Sequence, residues 1–163
     1  MTIRGRNQAA AGRGLSAVAS VTPELLATAR LVIETNGPGF YEFTNEAGGF
    51  LTSAGGGDGA LSLFLRHTSA SLVIQENADP DVCKDLTTAL ERLAPSDAGW
   101  VHDTEGPDDM PAHVKTMLTG VSLQIPVMDG ALALGTWQGI YLVEHRAQKH
   151  RREIVLQFIG SRR

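Results

Sequence analysis

The chain has 163 residues, 42% of them hydrophobic, a formal net charge of −4 and a single cysteine. That length fits one domain able to bury its own core. The acidic balance argues against nucleic acid as the main partner, because phosphate backbones are held by basic faces. With Cys83 alone there is no intramolecular disulfide, and no apolar run approaches the roughly 20 residues of a membrane span. LSAVASV, which follows Arg4, Arg6 and Arg13, is too short and too broken by serines for a secretory signal. The expectation is a cytoplasmic protein without membrane contact.

Residues 1–20 are rich in Arg, Ala, Gly and Ser, which predicts a disordered arm ahead of a single domain over 21–163. LVIET, NGPG and FYEFT then read as strand, turn and strand. Gly48–Gly49 and Gly55–Gly57 with Gly59 read as loops. LSLFLRH, residues 61–67, reads as a buried strand ending at His67, and SLVI, residues 71–74, continues extended. Asp79 is suited to an N-cap and Pro80 to the first helical position. Val82, Leu86, Leu90 and Leu93 recur at helical spacing until Pro95 stops the run. Residues 96–110 form an acidic loop. A second short helix is predicted from Pro111 to Leu118, ended by Gly120. VSLQIPV, ALALGTW, GIYLVEH and EIVLQFIG are four further strands. Two short helices and many strands without a βαβ rhythm predict an α+β fold, a mainly antiparallel, jelly-roll-like β-sandwich.

All five histidines lie between positions 67 and 150. His67 ends a strand, His102 sits in the acidic loop and His113 in the first turn of the short helix. No HExxH spacing defines a metal set, yet strand ends and helix starts can meet at one rim. Each histidine alone also reads as a surface or capping residue, least so His67. For His145 and His150, set among the charges of EHRAQKHRRE, that plain reading prevails. Thr68 and Ser69 read either as turn formers or as donors to an anionic oxygen, and without a GxSxG elbow Ser69 is not a nucleophile. Glu76, Asn77, Asp79 and Asp85 read as loop and cap groups, and Cys83 as a core thiol. Trp137 and Gln138 in GTWQG form a packed hairpin or a stacking wall with a hydrogen-bonding edge. Arg146, Lys149, Arg151 and Arg152 form a dense basic cluster: a solvated turn, an oligomer contact or a phosphate clamp.

Taken together, HTSASLVIQENADPDVCKDL, HDTEGPDDMPAHVKTMLTGVSLQIPVMDGALALGTWQGIYLVEHR and RREIVLQFIG resemble the YjbQ-like family, from about Ala29 to Gly160. Its members are often described as secondary thiamine-phosphate synthases. The resemblance implies a β-rich α+β sandwich assembled as a homotrimer, with a small phosphorylated metabolite as partner. Carried over by residue, it implies a catalytic set of His67, Thr68, Ser69, Glu76, Asn77, His102 and His113. It implies substrate contacts from Asp85, Trp137, Gln138, Glu144 and Arg152. His67, His102 and His113 would hold a divalent metal, zinc or magnesium, of which imidazole ligands favour zinc. The implied reaction joins hydroxymethylpyrimidine diphosphate to thiazole phosphate and releases pyrophosphate. Two alternatives stand beside it: a non-catalytic trimer that binds a metal or an anionic metabolite, and a metal-dependent hydrolase with Glu76 as base.

Overall fold

A computed structural model describes residues 14–163. Its elements follow as β1 (Leu25–Thr35), β2 (Gly39–Glu42), α1 (Thr44–Ala54), β3 (Gly56–Leu65), β4 (Ala70–Glu76) and α2 (Pro80–Leu93). Then come α3 (Asp109–Thr119), β5 (Ser122–Met128), β6 (Ala131–Leu132), β7 (Gln138–Glu144) and β8 (His150–Arg162). The arm expected over 1–20 lies outside the described residues as far as residue 13. Residues 14–20 are exposed and form no helix or strand.

The strands make two antiparallel sheets, one in the order β1-β8-β3-β5-β6 and one in the order β2-β7-β4. This is the α+β fold expected. Period-two patterning sets the larger sheet: Ile154, Leu156 and Phe158 of β8 stand opposite Leu65, Leu63 and Leu61 of β3, all buried. From the smaller sheet, Leu72, Ile140 and Leu142 join the same core. β7, the middle strand of that sheet, is buried from Gly139 to Glu144, as a strand covered on both faces must be.

α2 forms where its caps place it. Asp79 accepts from the Asp81 N–H at 2.9 Å, and Pro80 takes the first position. Three expectations are corrected. A third helix, α1, occupies the stretch read as a strand end and a glycine loop. Its stripe is Ala47 and Leu51, preceded by Phe43, all buried at a spacing of four. Burial of that stripe outweighs the cost of Gly48 and Gly49 inside the helix. The glycines at 56, 57 and 59 belong to β3 rather than to a loop. There β3 runs so close to β8 that a Cβ on Gly59 would stand 2.2 Å from the Ile159 carbonyl oxygen. The ALALGTW run keeps only Ala131–Leu132 as a strand.

Candidate functional site

The acidic loop ends in α3, and Asp109 and His113 lie one helical turn apart on it. Asp109 is buried, so its carboxylate needs compensation from both oxygens. Arg146 binds its Oδ1. The same guanidinium reaches Asp108 Oδ2 at 3.1 Å and the Glu105 carbonyl at 2.7 Å, tying the loop to the end of β7. Burial alone would push the Asp108 carboxyl up, but hydrogen bonds from the Ala147 N–H and Arg146 hold it below its ordinary value.

Asp109 Oδ2 faces two imidazoles, with His102 Nε2 at 2.8 Å and His113 Nε2 at 3.3 Å. The other nitrogen of His113, Nδ1, lies 2.9 Å from the Thr68 carbonyl oxygen. A carbonyl only accepts, so Nδ1 carries a proton. In the neutral ring Nε2 then keeps its lone pair on the Asp109 side, 3.3 Å from Oδ2 and with no hydrogen-bond donor on it among the described residues, so it is able to ligate a cation. Ligands of a tetrahedral zinc, each about 2.0–2.2 Å from the ion, stand roughly 3.3–3.6 Å apart. The trio is near that spacing, and it is the group of potential metal ligands found among the described residues.

His67 does not join this group, which corrects the expected ligand set of His67, His102 and His113. Its Nε2 is engaged as acceptor of the Glu153 N–H at 3.0 Å. Instead it lines an open pocket of about 680 Å³ together with Phe64, Ser69, His113, Met117 and Arg152. Thr68 is part of the same wall. Burial, and then the charge of Arg152, lower the His67 pKa below its ordinary value.

Arg152 and Glu144 form a buried bidentate pair, with Nε to Oε2 at 2.7 Å and Nη2 to Oε1 at 2.6 Å. Nη2 also reaches Ser69 Oγ at 3.2 Å. Glu144 accepts further bonds from the N–H groups of His145 and Arg146 and from the Thr35 hydroxyl. Burial would raise its pKa, but these partners, Arg152 foremost, hold it low. Expected to touch substrate, Glu144 is instead sealed beneath Arg152, at 1% exposure.

Five other expected site residues lie elsewhere. Glu76 and Asn77 follow the HTS segment closely in sequence, but β4 intervenes, and its seven residues span about 20 Å. They end up beside the GTWQ turn, where Glu76 pairs with Gln138 and the Asn77 N–H donates to the Trp137 carbonyl. Trp137 is 64% exposed, and Gln138 closes its own turn through Gly135. Asp85 is an exposed residue of α2. None of these five lines the pocket.

Sequence reasoning missed Asp109, and read Arg146 only as one of a basic cluster, not as the partner of that carboxylate. The D-x-x-x-H spacing of DMPAH was a readable signal for the first. His145, expected as a surface or capping residue among charges, is instead buried against Ser71, Nε2 to Oγ 2.6 Å. Burial, then Lys115, lower its pKa from 6.5 to about 4. A buried base that stays neutral in the folded chain destabilises it wherever the unfolded chain takes up the proton. Stability is therefore expected to fall by about 3 kcal/mol as pH drops from 6.5 to 4. The Glu144 contribution is intact above about pH 4.5 and is lost only below it. Denaturant melts across pH 4–7 would show this slope, and His145→Gln would flatten it.

A family model described as UPF0047 protein YjbQ-like matches residues 29–161. The chain belongs to this family. The UPF0047 protein sll1880 of Synechocystis is 47% identical over 132 residues, which is 80% of this chain and 90% of the relative. UPF0047 protein YjbQ of Salmonella typhimurium is 48% identical over 103 residues, 63% of this chain and 75% of its own length. A solved structure of an uncharacterized conserved protein of the YjbQ/UPF0047 family from Clostridium acetobutylicum matches with TM-score 0.74 and 34% identity, over 80% of this chain and 98% of that one. These YjbQ-like relatives overturn the expected thiamine-phosphate synthase-like transfer: they are described by family alone, and nothing in them indicates that reaction. Among the described residues, no helix is long and apolar enough to cross a membrane.

Proposed function

We propose that the chain binds a divalent metal ion, zinc in first place, through His102, Asp109 and His113, and offers it to a small metabolite at the edge of the pocket that His113 also lines. The observation that carries this reading is the proton count at His113: Nδ1 is committed to the Thr68 carbonyl while Nε2 faces Asp109 Oδ2. Two imidazoles and one carboxylate suit zinc better than magnesium, which prefers oxygen ligands. Three protein ligands leave a position for water or an exogenous group. The Thr68 carbonyl behind His113 and Arg146 behind Asp109 are the outer contacts such a centre uses to fix its ligands. A metal held there would act as a Lewis acid toward whatever oxygen it meets.

The test is zinc titration of the chain after chelation. Uptake of one ion per chain is expected, with a rise in melting temperature, since metal at 100 times its Kd adds about 2.7 kcal/mol to stability. Failure to take up zinc, cobalt or manganese would remove the proposal.

A further inference from the structure

We infer that the pocket lined by Arg152 and His67 recognises a small oxyanion, a carboxylate or a phosphate, carried on an apolar body. The inference rests on the reading of this pocket as a ligand site, but it draws on none of the oxyanion's contacts to a metal.

The first observation is the guanidinium of Arg152. Its Nε and Nη2 are spent on Glu144 and Ser69, while Nη1 donates to no acceptor among the described residues. No buried side-chain nitrogen or oxygen there lacks a partner. Nη1 is therefore not sealed away, and Arg152, 3% exposed, opens onto the pocket it lines. An arginine clamped on one edge by a carboxylate is held in one orientation, so little freedom is lost when the other edge binds.

The second observation is His67. Because its Nε2 accepts from Glu153 N–H, the neutral ring carries its proton on Nδ1, a donor with no protein partner among the described residues. Burial and then the charge of Arg152 hold the ring neutral, against smaller opposing effects of Glu144 and Glu153. The third is composition. The pocket is lined by Arg66, His67, Thr68, Ser69, His113 and Arg152 on its polar side, and no Asp or Glu is among its lining residues. In a chain of net charge −4, that local balance is the reverse of the whole. The remaining walls include Phe64 and Met117, 51% and 78% exposed. They would cover an apolar body while the donors hold its head.

The experiment is calorimetric titration of the full chain, in excess EDTA, with inorganic phosphate, phenyl phosphate and benzoate. Phenyl phosphate or benzoate is expected to bind, several-fold more tightly than inorganic phosphate. The stronger of the two names the head group. His67→Ala should weaken binding about tenfold, the loss of one hydrogen bond to a charged group, with melting followed to show a folded chain. Arg152→Lys should weaken it further, and if that variant unfolds, His67→Ala alone decides. No binding by about 10 mM ligand, binding that appears only when zinc is restored, or an unaltered affinity in folded His67→Ala would each overturn the inference. A chain that binds phenyl phosphate in EDTA yet takes up no zinc keeps this inference and loses the metal centre.

Discussion

Changing His102 to Ala is expected to lower zinc affinity by more than about 100-fold, beyond the 10–100-fold typical of losing an outer contact. The metal-free chain should lose about 1–3 kcal/mol of stability, the cost of leaving a buried acceptor without its partner. The imidazole is 43% exposed, so its truncation leaves no cavity, but its hydrogen bond is to Oδ2 of the buried Asp109. The same change at Asp109 would be harder to read, because Arg146 would lose a buried partner. Competition of wild type and variant against a chromogenic chelator gives the affinities, and urea melts in EDTA give the stabilities. Equal zinc affinity in the two chains would show that His102 is not a ligand.

Changing Glu144 to Gln is expected to cost about 3–5 kcal/mol, the usual result of leaving one member of a buried ion pair without its counter-charge. In a chain of this size that lowers melting by on the order of 10 °C. Five donors converge on this carboxylate: Arg152 twice, two backbone N–H groups and Thr35. A glutamine would turn an NH₂ toward at least one of them while Arg152, 3% exposed, keeps its charge. Loss of zinc affinity should be small by comparison, since neither residue belongs to the metal group. A loss below about 1 kcal/mol in thermal or urea melts would mean that water or an alternative partner compensates Arg152.

α2 was legible because its signals are local: a cap, a proline and an apolar repeat within 17 residues. α1 was not, because its stripe begins at Phe43, inside what alternation reads as a strand, and its centre is a glycine pair. The ending of β3 at the HTS segment, and the use of Thr68, Ser69 and Arg152 on one wall, were within reach of pattern and family likeness. The grouping of His102, Asp109 and His113 was not. His67 stands next to the site in space but gives its Nε2 to the Glu153 N–H, a tertiary bond that no spacing announces. Asp109 was hidden in a run of acids whose members look alike until burial singles one out. Glu76 and Asn77 show the opposite failure. Nearness in sequence suggested one site, and an extended β4 carried them to the far end of the sheet.

The most direct test is the anomalous scattering of zinc-loaded crystals measured at the zinc edge. One strong peak per chain is expected, about 2.0–2.2 Å from His102 Nε2, His113 Nε2 and an Asp109 carboxylate oxygen. A zinc peak held by other residues, with no ion at that trio, would contradict this.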